Sequence, residues 1–371
     1  MLIRIHRETR PGERRVALVP KTVVRLVDAG HTVVFPAGVG VDSDYSDKAY
    51  TEAGAEVFEG PPPEADLVAA VGPIALDDVA PTKAVVAFLD PLGQPAEISR
   101  FAAAGVDALS MELIPRTTLA QSMDALSSQA TSAGYEAVLL AASELPRFLP
   151  MMMTAAGTIP PAKALVLGAG VAGLQAIASL RRLGAMTAGY DIRPEAAEQI
   201  ESLGATFVGG PTEKQDSGGY AGEVTEDTKA AQLAALHTHV AAADIVITTA
   251  QVPGRAAPVL ITADMVADMK LGSVVVDLAA STGGNCEVTE AGRTIDYQGV
   301  KVIGPLDLPS RTADHASEMY SRNVFSLFDY LTDDDGILVL DPEDEIAAGC
   351  AVVRDGEITN ERVRVAAEGG S

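Results

Sequence analysis

The stretch Gly168-Ala169-Gly170-Val171-Ala172-Gly173 constrains the fold more than any other part of the chain. Alone, a GxGxxG is a weak signal, because Gly-rich turns are common. Its flanks give it meaning here. The apolar run Ala164–Leu167 before it reads as a strand, and Val171–Leu183, stopped at Gly184, reads as a helix. A further apolar run, Met186–Tyr190, ends on Asp191. Strand, tight turn, helix and strand make a βαβ unit in which each glycine has a mechanical task. Gly168 makes the tight turn, Gly170 lets the backbone approach a pyrophosphate, and Gly173 lets the helix press on the strand. The free N–H groups of the helix N-terminus suit an anion. A carboxylate at Asp191 accepts hydrogen bonds from adenosine ribose hydroxyls. The six residues of the turn, with Asp191, Ile192 and Arg193, are therefore predicted to bind a dinucleotide. Asp191 favours NAD(H) over NADP(H), because it repels a 2′-phosphate. Arg193 has three readings: it favours the phosphate, stacks on adenine, or pairs with an acid.

The same alternation runs through the rest of the chain. Thr206–Val208, Ile245–Thr248, Val274–Val276 and Val300–Ile303 continue the series as strands, and Leu2–Ile5, His31–Phe35, Asp66–Val71 and Ala84–Leu89 are strand-like runs in the first third. Lys21–Asp28 has helical spacing after Pro20. The pattern predicts an α/β chain of two Rossmann-like domains with parallel sheets. Two long helical segments, about Ser122–Leu145 and Ala316–Leu331, read as the crossings between domains, with Tyr320, Val324, Leu327 and Phe328 on one side of the second. The first domain is then discontinuous, residues 1–127 plus 318–371, closed by the C-terminal segment, with residues 128–317 as the dinucleotide domain. Thr154–Pro161 reads as a loop. Ala250 and Gln251 follow the strand Ile245–Thr248, where open sheets bind ligands, so Gln251 is a candidate cofactor contact. Asp277, ending another strand, either caps a turn or touches the ligand.

The formal charge is -24, from 51 acidic and 27 basic residues. Such a field repels phosphate backbones, so nucleic acid is not an expected partner. An acidic, Lys-poor surface also fits a high-salt setting. The two cysteines, Cys286 and Cys350, have no metal-type spacing, and a reducing compartment suits them. The N-terminus lacks the apolar core of a signal peptide and no run is long enough to span a bilayer, so a cytoplasmic location is expected. His6, His31, His237, His239 and His315 form no acid–base or metal-binding pattern in the sequence.

The stretch Arg7-Glu8-Thr9-Arg10-Pro11-Gly12-Glu13-Arg14-Arg15-Val16-Ala17-Leu18-Val19-Pro20 resembles the N-terminal signature shared by alanine dehydrogenase and the proton-translocating nicotinamide nucleotide transhydrogenases. Ala164–Leu183, continuing to Tyr190-Asp191, resembles their second signature. Arg116–Gly134, Phe148–Pro161 and Gly218-Gly219-Tyr220-Ala221 resemble the transhydrogenase α subunit alone. The resemblance implies the NAD(H)-binding component, domain I, as a homodimer. It implies hydride exchange with NADP(H) held on a separate domain III, coupled to proton movement through membrane subunits, with this chain peripheral at the cytoplasmic face. It further implies that Arg116, Gln121, Asp124 and Ser127 hold the nicotinamide end. Gln121 and Ser127 would bond the carboxamide or ribose, and Asp124 would orient Arg116; alternatively, Arg116 and Asp124 are an ion pair at the entry to a helix. Gly218–Glu223, with Gly219 and Tyr220, matches a mobile loop that closes over NAD.

Two other readings are an alanine dehydrogenase-like oxidoreductase and a non-catalytic NAD-binding module. Oxidising an amine needs ionisable groups beside the substrate. The resemblance gives Arg15 as the counterpart of the dehydrogenases' substrate-binding Arg. Their Lys has no counterpart in Val68-Ala69-Ala70-Val71-Gly72-Pro73, Asp90 stands in place of their His, and Ser281 in place of their Asp. The expected result is that the purified chain forms no NADH from NAD and L-alanine. Sustained alanine-dependent absorbance at 340 nm would overturn this reading.

Overall fold

The computed structural model describes residues 1–209, 236–251 and 254–369. The chain divides into two compact units, Met1–Gln129 with Pro309–Ser371, and Ala130–Leu308.

In the first unit, β1 (Leu2–Ile5), β2 (Thr32–Pro36), β3 (Glu56–Phe58), β4 (Ala65–Ala69), β5 (Thr82–Ala87) and β6 (Asp107–Ser110) pair in parallel, in the order β3-β2-β1-β4-β5-β6. The central strands are almost wholly apolar, as both-face burial requires. The helix Pro20–Asp28 starts with a proline in its first turn, where no N–H is missed, and buries Thr22, Val23 and Leu26.

In the second unit, β7 (Met152–Thr154) and β8 (Gly157–Ile159) form an antiparallel hairpin. A loop was expected over Thr154–Pro161. The chain instead turns back through Ala155 and Ala156 because Gly157 takes a φ of +119°. The main sheet holds β9 (Lys163–Leu167), β10 (Met186–Tyr190), β11 (Thr206–Phe207), β12 (Ile245–Thr248), β13 (Val274–Asp277), β14 (Thr294–Tyr297) and β15 (Val300–Ile303), in the order β11-β10-β9-β12-β13-β15-β14. All neighbours are parallel except β14 with β15.

The chain then re-enters the first unit through the helix Ala313–Leu331, which starts ahead of the expected Ala316. It buries Tyr320, Val324, Leu327, Phe328 and Leu331 in the first unit's core. The small side chains of this face work as acceptors. Ser317 Oγ accepts from the Val16 amide and Ser321 Oγ from the Val19 amide, both at 3.0 Å. The first compact unit resumes at Pro309. Last come β16 (Ala351–Arg354), antiparallel to β6, and β17 (Glu357–Ile358), antiparallel to β16. The sheets are thus parallel with antiparallel edges. The edge returns β14–β15 and β16–β17 are two-residue turns, and such turns permit only antiparallel pairing.

Asp277, at the end of β13, is fully buried. Its Oδ1 accepts from Thr248 Oγ1 at 2.8 Å and Ala279 N at 3.0 Å. Its Oδ2 accepts from Asn285 N at 2.8 Å, Cys286 N at 3.0 Å and Thr289 Oγ1 at 2.8 Å. Of the two roles left open for it, the geometry is that of a turn cap. Asp277→Ala would leave several buried donors unpaired. It should lower stability by about 3–5 kcal/mol in urea unfolding followed by circular dichroism, and a loss below about 1 kcal/mol would refute this role.

Candidate functional site

Both main sheets contain the strand order 3-2-1-4-5, counted within each sheet, so each has a point where the order reverses: between β1 and β4, and between β9 and β12. Open α/β sheets bind ligands in the crevice at the carboxyl ends of the strands there. The two units treat this crevice differently.

In the second unit it is built from backbone. Gly168 sits at a φ of +100° and its N–H donates to Tyr190 O at 2.8 Å. The helix Val171–Arg182 follows, with Gly170 at its N-cap. A Cβ on Gly173 would lie 1.8 Å from Gly168 O, so only glycine permits this approach of helix to strand. A Cβ on Gly170 would meet nothing within 4 Å, which leaves the turn open to a ligand. Packing from behind is equally tight. A Cβ on Gly134, in the helix Ala125–Glu144, would come within 2.2 Å of Ala172 O. Across the crevice, Thr249 Oγ1 donates to Gly168 O at 3.1 Å. Ala250 is held at both ends by the buried Asn285, whose Oδ1 accepts from Ala250 N at 2.9 Å and whose Nδ2 donates to Ala250 O at 2.8 Å. Gln251 is exposed, and its Nε2 donates to Leu278 O at 2.9 Å. Asn285 escaped the sequence reading, since an isolated Asn after two glycines carries no periodic signal.

Asp191 lies at the end of β10 with its carboxylate nearly buried. Burial pushes this carboxyl up, but hydrogen bonds from Arg193 and from the Ala169 amide outweigh it and hold the group below the usual carboxylate range. Of Arg193's three readings, the structure shows pairing with an acid, and the acid is Asp191, at 3.0 Å. Ile192 is 80% exposed beside them. The turn amides, the open face of Gly170 and this carboxylate together fit the pyrophosphate and ribose of a dinucleotide.

The segment Arg116–Ser127 belongs to the first unit. It runs through a 3-10 turn, Leu119–Met123, into the helix Ala125–Glu144. Arg116 and Gln121 are exposed. Among the described residues no ion pair joins Asp124 and Arg116. The Asp124 carboxylate accepts from Ser127 N at 2.9 Å and Ser127 Oγ at 2.6 Å, a helix-capping geometry that turns it toward the first free amides of the helix. Gly219 and Tyr220 lie outside the described residues.

In the first unit the crevice is filled by side chains. Glu8 Oε1 accepts from Val71 N at 2.6 Å, so a carboxyl from the end of β1 bridges to the end of β4. The Arg10 guanidinium lies where a Cβ on Gly72 would be, 2.0 Å from its Nη2. Burial pushes the Glu8 carboxyl up to about 7. Glu13, by contrast, is held at about 2: burial would raise it, but Arg15 grips both its oxygens, at 2.7 and 2.6 Å, and Ser310 donates to it. Arg15 also donates to Gln129 Oε1 at 2.9 Å, so this arginine is engaged inside its own unit.

Two family models match the chain: "Alanine dehydrogenase/PNT, N-terminal domain" over residues 4–133 and "Alanine dehydrogenase/PNT, C-terminal domain" over residues 137–361. An NAD(P) transhydrogenase subunit alpha polypeptide of Rhodospirillum rubrum is 42% identical over 376 residues, covering 97% of this chain and 98% of that protein. The solved transhydrogenase from Sinorhizobium meliloti superposes with a TM-score of 0.87 at 42% identity, covering 96% of this chain and 100% of that one. The alanine dehydrogenase of Bacillus subtilis is 27% identical over 302 residues, covering 78% of this chain and 73% of that protein. Two open α/β sheets, a Gly-rich turn at the second switch point and these similarities agree: the chain belongs to the alanine dehydrogenase/PNT family, on the side of the NAD(P) transhydrogenase alpha subunits.

Proposed function

We propose that this chain is the NAD(H)-binding component of a proton-translocating transhydrogenase. In this reading it exchanges hydride directly with NADP(H) carried on a separate domain III. The observation that carries it is the open backbone turn of Gly168–Gly173, joined to the Asp191 carboxylate, in a chain 42% identical to a transhydrogenase alpha subunit. The turn amides would hold the pyrophosphate and Asp191 the adenosine ribose, with Ala250 and Gln251 on the neighbouring strand end. The nicotinamide, when bound, supplies the carbon that gives or takes the hydride.

Exchange between two nicotinamides releases no proton, so it calls for no general acid or base. The work left to the protein is orientation and exclusion of water. We assign orientation to Arg116, Gln121 and Ser127, with Asp124 fixing Ser127 and the helix start behind it. Gly219 and Tyr220 are assigned to a covering loop on the resemblance alone. Among the described residues no helix is long and apolar enough to cross a membrane. On the resemblance alone, we assign proton movement to partner subunits, with this chain peripheral to them at the cytoplasmic face.

The homodimer is part of the same proposal, and exposed apolar side chains of the second unit support it. A cleft of about 740 Å³ includes Arg147, Phe148, Ile159, Pro161, Met186 and Lys270 in its lining, beside the β7–β8 hairpin. Phe148, Met151, Met153, Ile159 and Met186 are all exposed, Met153 by 78%. Apolar surface gathered in one place suits contact with another protein surface.

Two measurements test these assignments. Gln121→Asn shortens the reach of one side chain and leaves the dinucleotide turn intact. It should slow hydride transfer to an NADP analogue on domain III by at least about tenfold, with a far smaller change in NADH affinity. Stopped-flow mixing and an NADH titration give both numbers; loss of affinity with an unchanged saturating rate would make the segment a binding clamp. In sedimentation velocity the wild type should run as a dimer and Met153→Glu should shift toward monomer. A wild type that runs as a monomer would remove the dimer from the proposal.

A further inference from the structure

The hydrogen-bond capacity of Asp191 is already spent. A carboxylate offers about four acceptor positions, and four N–H groups of the protein lie on this one. Oδ1 accepts from Arg193 N at 2.9 Å and Arg193 Nε at 3.0 Å. Oδ2 accepts from Ala169 N at 2.7 Å and Arg193 Nη2 at 3.0 Å. Arg193 Nη2 also reaches Ala169 O at 3.3 Å, so the guanidinium is fastened to the Gly-rich turn as well as to the acid. The two backbone donors, Ala169 N and Arg193 N, hold the carboxylate in place. The two guanidinium donors occupy the positions that ribose hydroxyls would need. Arg193 is half exposed, so it can swing into solvent without breaking any core packing.

We infer that Arg193 is a specificity-determining residue that competes with the adenosine ribose for Asp191. The inference rests on the reading of the turn as an NAD(H) site. For NAD(H), two ribose hydroxyls displace the guanidinium fork and regain its hydrogen bonds, so binding proceeds at a modest cost. An NADP(H) 2′-phosphate cannot donate to Asp191. The arginine that could pair with that phosphate is tied to the acid that repels it. One ion pair therefore lowers NAD(H) affinity slightly and disarms the phosphate-binding capacity of Arg193.

The size of the effect follows from the exposure of the arginine, which is half open to solvent while the Asp191 carboxylate is nearly buried. A guanidinium that solvent reaches is held only weakly by its partner. A site whose competent form is populated for a fraction of the time loses affinity by that fraction. Removing the competitor should therefore tighten NADH binding by about two- to fivefold. That is the opposite of what removing a ligand-contacting side chain does.

The experiment titrates the full-length chain with NADH and with NADPH by fluorescence, for wild type, Arg193→Ala, Arg193→Lys, Asp191→Ala and the double variant, with each fold checked by thermal melting. Arg193→Ala should lower the NADH Kd by about two- to fivefold and leave NADPH binding no better. Arg193→Lys, which keeps the charge but lacks the fork, should fall between it and wild type. Asp191→Ala should weaken NADH and strengthen NADPH, because it frees Arg193 for the 2′-phosphate, and the double variant should lose that NADPH gain. An NADH Kd that is unchanged or higher in Arg193→Ala would overturn the inference, and so would an NADPH gain that survives in the double variant. Failure of the underlying reading looks different: wild type would not bind NADH at all.

Discussion

One contact governs the second unit, the approach of the helix Val171–Arg182 to the end of β9 through Gly173 and Gly168. Any side chain at Gly173 would sit inside the carbonyl of Gly168. With none there, the helix N-terminus comes down directly on the end of the strand and its free amides face the crevice. The neighbours are then fixed in turn. Thr249 bonds the carbonyl of Gly168, Asn285 fastens Ala250, and Asp277 holds the backbone of Asn285. From the other side Asp191 bonds the amide of Ala169. The turn stays open at Gly170, where a Cβ would meet no atom within 4 Å.

The first unit sets different side chains on the same strand order. Its β1–β4 switch point has the topology of a nucleotide crevice, yet the chain leaving β1 carries charged side chains where the second unit carries glycines. Glu8 bridges the two strand ends and Arg10 covers Gly72. Glu13 and Arg15 lock together beside them, with Ser310 and Gln129 satisfying what is left over. Here the charges serve to join segments distant in sequence.

The fold was legible in the sequence wherever burial imposed a period. The runs of β1, β9, β10, β12, β13 and β15 are apolar because helices cover both faces of the sheets, and the face of Ala313–Leu331 carrying Tyr320, Val324, Leu327 and Phe328 is apolar because it enters a core. The edges were not legible in the same way. Gln298-Gly299 and Asp355-Gly356 both take positive φ, and both close two-residue hairpins, β14–β15 and β16–β17. These dipeptides are turn signals in their own right, hidden because the strands beside them are short. At the site, glycine spacing and a strand-terminal acid were readable because the backbone needs them at fixed positions. The partners of Arg193 and Asp124 were not, although Asp191 and Ser127 are close in sequence, because each side chain has several partners within reach; those of Asn285 were not, because Ala250 and Pro258 lie far away in sequence.

The helix Ala313–Leu331 has a consequence for how the molecule is made. Its Ser317 and Ser321 receive amides from residues 16 and 19, and its Tyr320 hydroxyl donates to Ala70 O at 2.8 Å. Segments that leave the ribosome early thus wait for one that leaves late. Domains fold as units during synthesis, generally from the N-terminus. In this chain the first unit cannot be completed until residues 309–331 have been made. Residues 130–308 can close around β9 and β12 while β1–β6 still lack the helix that covers them and the strand that lines their edge. Until that helix has been made, the apolar face of the parallel sheet that it covers stands open, and exposed apolar surface of this kind is what makes incompletely folded chains prone to aggregate.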